Sequence, residues 1–173
     1  IDEVHFHEVG AVDAIVDIVG AWLALDALQV NNVVCGPIGL GHGSTTAAHG
    51  RLPIPAPATT DLLIGTNVQP VDVAAETVTP TGAALLVTMA TEWGPIPTGR
   101  LIGSSRGAGG RDPEQYPNAI SAYLNLQFHY ITASRRTYHT GSDLSICFVK
   151  TTHVTWIFIM VDYFFTICHV NHL

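Results

Sequence analysis

Two histidines and a glutamate near the start of the chain, His5, His7 and Glu8, are the residues best suited to chemistry. If residues 4–7 form a strand, the two-residue period of its side chains places His5 and His7 on one face, with Phe6 on the other. Two imidazoles that point the same way have the geometry of metal ligands. The alternative is that both are ordinary strand histidines, because a His-x-His pair often occurs by chance.

Soon after these histidines in the sequence, a helical spacing runs from about Val12 to Leu28 and includes two aspartates. Asp13 and Asp17 lie one turn apart, on a narrow strip with Gly20 and Ala24. Like charges at this spacing cost a few tenths of a kcal/mol, roughly, which a cation or a hydrogen-bond network would remove. Alternatively, both aspartates face water. The same helix carries one broad apolar stripe: Val12, Ile15, Val16, Val19, Trp22 and Leu23.

Four blocks of sequence, in order along the chain, resemble the LarC family, the nickel-insertion proteins of nickel-pincer cofactor biosynthesis. The first runs from His5 to Gly20, and the second from Ala48 to Ala58 with its His-Gly-Arg-Leu-Pro run. The third is Thr-Pro-Thr-Gly-Ala-Ala-Leu from Thr79, followed by Gly-Pro-Ile-Pro, and the fourth is Gly-Ala-Gly-Gly-Arg-Asp with a later Pro-Asn. Together they cover roughly residues 1–118, about two thirds of the chain.

This resemblance implies a nickel-inserting lyase, or chelatase, that acts on pyridinium-3,5-bisthiocarboxylic acid mononucleotide. In the family the reaction depends on CTP, with Mg²⁺ or Mn²⁺ expected beside it, and yields the nickel-pincer nucleotide. The competing reading is a non-catalytic domain that binds or delivers nickel. A divalent-metal hydrolase built on His5, His7 and the aspartates ranks last, because the sequence offers no recognisable general base or nucleophile elbow.

Further candidate ligands lie later in the chain. His42 and His49 stand in a glycine- and proline-punctuated loop, Gly39 to Ala58, where either could instead be a turn residue. Arginines are few, and three of the four before residue 126 lie in or beside glycine-rich loops, which suggests recognition of phosphate or carboxylate; the alternative is solvated loop arginines. The predicted anion-binding residues are Arg51, Thr79, Thr81, Arg106, Gly107, Gly109 and Arg111.

Composition narrows the range of partners. Charged residues make up only 12% of the chain and the net charge is −7, which argues against nucleic-acid binding. The three cysteines, Cys35, Cys147 and Cys168, are odd in number and widely spaced, which fits a reducing cytoplasm. No signal peptide or membrane-length apolar run occurs. The resemblance implies nickel, the mononucleotide and CTP as partners, and composition argues against nucleic acid and membrane. A homo-oligomer remains open.

The predicted architecture is α+β, or α/β, with a mixed sheet whose order the sequence does not give. Short strands are expected at residues 4–7 and 33–35, and helices at 12–28, 57–63 and 80–91. Thr79 as N-cap and Pro80 at the first helical position mark the third helix start, and a helix N-terminus favours anions.

The two ends of the chain look atypical. It begins at Ile1 rather than methionine, so a fragment is expected. Residues 127–173 hold nine of the fourteen aromatic residues, with one glycine and no proline, and show no clear helical or alternating period. We therefore predict a LarC-like domain fragment over residues 1–126 and an atypical tail over 127–173, frameshifted or disordered, whose histidines have no assigned role.

Overall fold

The structure, a computed structural model, describes residues 12–47, 50–108, 119–133 and 136–150. Helices and strands are mixed in this part of the chain, which confirms the predicted α+β class. The helices are α1 (Val12–Ala27), α2 (Pro57–Leu62) and α3 (Pro80–Met89). The strands are β1 (Asn32–Cys35), β2 (Ile38–Leu40), β3 (Ser44–Ala47), β4 (Gly50–Pro53), β5 (Val68–Pro70), β6 (Glu92–Trp93), β7 (Arg100–Ala108), β8 (Ala119–Ala133) and β9 (Arg136–Lys150).

The largest sheet has five strands in the order β6-β1-β9-β8-β7. Strand β1 runs parallel to both β6 and β9, while β8 is antiparallel to β9 and to β7. Two smaller sheets pair β2 with β5 in parallel and β3 with β4 in antiparallel fashion. Because β1 and β6 are parallel neighbours, the chain between them needs a crossover, and α3 lies within it.

Local signals place the helices well. The predicted helices over residues 12–28, 57–63 and 80–91 and the predicted strand over 33–35 are confirmed, with ends shifted by one or two residues. The Thr79 hydroxyl caps α3 by accepting a hydrogen bond from the Gly82 N–H at 3.1 Å. The predicted strand over residues 4–7 lies outside the described residues.

The main core lies between one face of the large sheet and helices α1 and α3. Alternate residues on β1 and on β8 point to this face, as the two-residue strand period requires. The buried members of the cluster are Leu25, Val33, Cys35, Leu85, Met89, Ile120 and Ala122. A second cluster, Ile38, Leu63, Val78 and Ala83, packs on the other side of α3.

Helix α1 turns an unexpected face inward. Ala14 and Asp17 are 6% and 7% exposed, and Ile18, Ala21 and Ala24 pack against the core. Small side chains on this face allow the helix backbone to approach its neighbours closely. The alternative in which both aspartates face water is therefore wrong for Asp17. The broad apolar stripe lies on the outside instead, where each of its six residues is exposed.

Two segments expected to be loops contain strands. Strands β3 and β4 pair in antiparallel fashion within the first segment, and Arg100–Ala108 is strand β7, although its glycines favoured a flexible loop. Backbone pairing with β8 fixes β7 despite its composition. In the part of the chain that the structure describes, none of the helices has the length and apolar character needed to span a membrane.

The segment after Leu126 also carries regular structure where it is described. Residues 127–133 end β8 and residues 136–150 form β9, at the centre of the sheet. The expectation of no regular structure missed these strands, because pairing between strands far apart in the chain leaves no short-range pattern in the sequence. The predicted boundary between residues 126 and 127 falls inside β8. The division into a 1–126 domain and a 127–173 tail stays a prediction.

Candidate metal and anion sites

Four of the seven predicted metal ligands lie outside the residues that the structure describes. His5, His7 and Glu8, like His49 later in the chain, fall outside the described residues. Asp13 and Asp17 both belong to α1, and Asp17 is buried on its inner face. A buried carboxylate needs hydrogen bonds or a cation to offset its lost hydration. The assignment of these residues to nickel stays a prediction.

His42 is a predicted metal ligand for which the structure gives both a side-chain contact and the exposed fraction. Its Nε2 lies 3.3 Å from Asp72 Oδ1, and the two side chains are 59% and 106% exposed. An imidazole and a carboxylate are two of the four or more ligands that a transition metal takes. Among the described residues, no group of three or more His, Cys, Asp or Glu side chains is placed to hold a metal ion.

The backbone around His42 is fixed by a buried threonine. The Thr77 hydroxyl accepts a hydrogen bond from the Gly41 N–H at 2.9 Å and donates one to the Gly39 carbonyl at 2.7 Å. The His42 N–H donates to the Val73 carbonyl at 2.8 Å. Thr77 is 2% exposed, so these bonds are shielded from water. The exposed imidazole of His42 is therefore carried by a well-anchored segment.

Arg51 is the best-placed candidate for binding an anion. It lies on β4, where its Nε–H donates to the Ser44 hydroxyl of β3 at 2.7 Å. Within the described residues its terminal nitrogens make no further hydrogen bond or ion pair, and the side chain is exposed. This orientation leaves the outer edge of the guanidinium free for bidentate contact with a phosphate or carboxylate.

The N-terminus of α3 offers an anion little. Pro80 has no N–H, the Gly82 N–H is taken by the Thr79 side chain, and the Ala83 N–H bonds the Thr79 carbonyl at 2.9 Å. In the first turn of this helix, only the Thr81 N–H is left without a partner inside the helix. One N–H is a weak anion site compared with the converging groups of a phosphate-binding loop.

Arg106 and Gly107 lie in strand β7, so their predicted position in a loop is wrong. Arg106 is exposed opposite Ser121 of β8, while Gly107 is buried opposite Ile120. Strand β7 is at the edge of the five-stranded sheet, whereas Arg51 of β4 lies in the separate β3–β4 sheet. Gly109 and Arg111 lie outside the described residues. Arg51 and Arg106 thus belong to different sheets.

Two residues near His42 were not predicted as site residues from the sequence. Asp72 and Thr77 lie in a stretch without distinctive chemistry, thirty or more residues from the groups they contact. No local spacing signals such a contact. The pairing of β2 with β5, together with the bonds that Val73 and Thr77 make to residues 39–42, brings the two segments together.

A family model and individual relatives all identify the chain as similar to nickel insertion proteins. The family model described as nickel insertion protein matches residues 1–153. A Nocardioides protein named pyridinium-3,5-bisthiocarboxylic acid mononucleotide nickel insertion protein is 46% identical over 125 residues, which cover 72% of this chain and 32% of that protein. Proteins of the same name from Geobacillus kaustophilus and Staphylococcus epidermidis are 39% and 44% identical, covering 83% and 69% of this chain and 35% and 30% of their own lengths.

The similarity therefore has a defined extent. The chain spans about a third of the length of the curated relatives it matches. No solved structure matches it. The range that the family model matches contains all the predicted metal ligands and anion-binding residues, from His5 to Arg111.

Proposed function

The chain belongs to the nickel insertion protein family, and from that premise we propose that it forms part of a protein that inserts Ni²⁺ into pyridinium-3,5-bisthiocarboxylic acid mononucleotide. The observation that carries the proposal is the family match over residues 1–153, with relatives up to 46% identical that bear this name. In those relatives the matched segment is about a third of the protein, so the chain is proposed as one contributor to the activity.

Nickel is the metal substrate of this reaction, and the chain's part is to hold it for transfer. His5 and His7 supply borderline imidazole ligands, which suit Ni²⁺. Glu8, Asp13 and Asp17 add negative charge nearby, which lowers the free-energy cost of removing water from a dication. Sulfur atoms of the thiocarboxylates on the mononucleotide are softer ligands, so they can take the ion over from imidazole and carboxylate.

Arg51 is assigned to the phosphate group of the nucleotide substrate. Its Nε–H is already bonded to Ser44, which holds the guanidinium plane and leaves the outer nitrogens for two parallel bonds to phosphate oxygens. Arg106, Gly107, Thr79 and Thr81 are proposed as secondary anion contacts, together with Gly109 and Arg111. CTP with Mg²⁺ or Mn²⁺ supplies the activation step in this proposal. Its phosphates need a second phosphate site besides Arg51, and the described residues provide no carboxylate cluster for its metal ion.

Replacing His5 and His7 together by alanine is expected to weaken Ni²⁺ binding by more than about tenfold, because the ion loses both imidazole ligands. In the unchanged chain, affinity should fall as pH drops below about 6.5, where histidine takes up a proton that nickel must displace. Isothermal titration calorimetry measures both effects. A variant with His129 and His139 replaced by alanine loses the same number of imidazoles and serves as control. Equal nickel affinity in the two variants would show that this site is wrong.

A chimera tests whether the segment serves nickel insertion rather than nickel storage. The chain replaces the corresponding segment of the Geobacillus kaustophilus relative, to which it is 39% identical over 143 residues. With the mononucleotide, CTP, Ni²⁺ and Mg²⁺, we expect nickel-pincer product by mass spectrometry, and none without CTP. We expect the chain alone to bind nickel without multiple turnover, because it corresponds to only about a third of each relative that bears this name. A chimera that folds and binds nickel but forms no product would favour the non-catalytic reading.

A further inference from the structure

Helix α1 has an exposed apolar surface on the side that faces away from the core, which we call the α1 outer face. It consists of the six apolar-stripe residues at the helical positions i, i+3, i+4, i+7, i+10 and i+11: Val12 (76% exposed), Ile15 (54%), Val16 (45%), Val19 (50%), Trp22 (48%) and Leu23 (62%). A surface helix normally packs its apolar side and shows water a polar one. Helix α1 already packs its inner face against the core, so it is apolar on both sides. Contiguous apolar surface of this kind marks an interaction site.

The charged residues of helix α1 all have one sign. Helix α1 contains Asp13, Asp17 and Asp26 and no lysine or arginine, and the first basic residue in the whole chain is Arg51. Asp26 is exposed in the last turn. A negative charge at a helix C-terminus is unfavourable, because the backbone dipoles already place partial negative charge there. A positive group from outside would relieve this conflict.

A cleft of about 720 Å³ lies at this end of the α1 outer face. The C-terminal ends of α1 and α3 both border it, and neither helix has a basic residue in its last turn. Asp26 contributes a carboxylate to the lining and Trp22 contributes an indole ring. Two helix C-termini, a carboxylate and an aromatic face all favour a cation. Trp22 belongs to both features, so the cleft continues the apolar surface.

We propose that the α1 outer face binds an amphipathic helix, whose apolar stripe covers these side chains and whose flanking lysine or arginine enters the cleft. The family's longer chain is the source we assign, because about two thirds of each compared relative lies outside the match and is long enough to supply such a helix. A second copy of this chain is a poor occupant. It would bring another acidic helix with no basic residue and place aspartates opposite aspartates.

Two designed peptides test the proposal. Both carry the same leucine stripe over about five helical turns; one has lysines beside the stripe and the other has glutamates. Fluorescence anisotropy of the labelled peptides against the 173-residue chain should show the lysine peptide binding at least about tenfold more tightly, with weaker binding in high salt. Val19→Lys should reduce this binding by a similar factor, and Asp26→Asn should narrow the difference between the peptides. Ile64→Lys, at a side chain 81% exposed elsewhere, is the matched control and should leave binding unchanged.

Three results would overturn the proposal. The first is equal binding of the two peptides, and the second is lysine-peptide binding that Val19→Lys does not alter. The third is a dimer of the chain in sedimentation experiments that Val19→Lys dissociates, since the occupant would then be a second copy. Melting curves establish that each variant is folded, and Leu23→Lys, at a side chain 62% exposed, provides a second substitution should Val19→Lys unfold. None of these readouts depends on nickel, so failure here leaves the proposed nickel insertion standing.

Discussion

Removal of residues 127–173 is expected to abolish cooperative unfolding, because it deletes the central strand of the five-stranded sheet. Strand β9 lies between β1 and β8 and pairs with both. Among the described strands, β1 would then pair with β6 alone, and the remaining part of β8, residues 119–126, with β7 alone. The sheet would then divide into two pairs of strands, and an isolated pair is at best marginally stable in water.

The core makes this division costly. One hydrophobic cluster contains Val33 and Cys35 of β1 together with Ile120 and Ala122 of β8, which lie on opposite sides of β9. Deleting the strand between them leaves a gap about two strand spacings wide, roughly 9–10 Å, and two edges of unpaired backbone groups. Since a domain's total stability is about 5–15 kcal/mol, losing this ladder and part of the core can exceed it.

Circular dichroism and calorimetry of two truncated chains measure the effect. One ends at Leu126, and the control ends at Lys150, which keeps every described strand. We expect a cooperative transition for the longer chain and a broad, non-cooperative change for the shorter one. An unchanged melting temperature and higher solubility for the chain ending at Leu126 would instead support the prediction that residues 127–173 are a dispensable tail.

Local signals explain why some of this fold could be read from the sequence. A Thr-Pro pair defines the start of α3, since threonine caps the helix and proline tolerates the first position. The helical spacing of apolar residues over 12–28 predicts α1. Each signal acts between residues a few positions apart, so no knowledge of the sheet was needed.

Non-local pairing explains what the sequence did not reveal. The inner face of α1 was not apparent, because the stripe with the larger apolar residues lies outside while Ala14, Asp17 and Ala21 lie inside. Strand β7 contains two glycines, and β9 has no regular period. Strand β7 is held by pairing with β8, and β9 by pairing with β1 and β8. Register between strands far apart in the chain leaves no short-range pattern.

The candidate sites divide in the same way. The spacing of His5 and His7 predicts a pair of nickel ligands. Their role in nickel binding stays a prediction, because they lie outside the described residues. His42 was also chosen as a candidate, but its contact with Asp72 could come only from the fold. Arg51 was chosen for its scarcity as a cation, and the structure adds the Ser44 bond that orients it.

Gly41→Ala is expected to destabilise the chain by about 2–4 kcal/mol, through a close approach of two backbone segments. An added Cβ would lie 2.1 Å from the Ala75 carbonyl oxygen and 2.8 Å from that of Val73. Both obstacles are backbone atoms, which cannot rotate away as a side chain would. Moving them apart would break the bond from the His42 N–H to the Val73 carbonyl and the bond from the Gly41 N–H to Thr77.

Two other glycines calibrate this effect. At Gly39 the nearest obstacle to a Cβ is a methyl group of Val71 at 2.9 Å, which can shift, so alanine there should cost less, about 1 kcal/mol. At Gly94 nothing lies within 4 Å, and alanine should change stability by under about 0.5 kcal/mol. Urea denaturation of the three variants gives the free energies of unfolding. If Gly41→Ala proved as mild as Gly94→Ala, the segments around His42 could not be packed as the structure shows. The candidate metal ligand would then lose the anchor that Thr77 gives it.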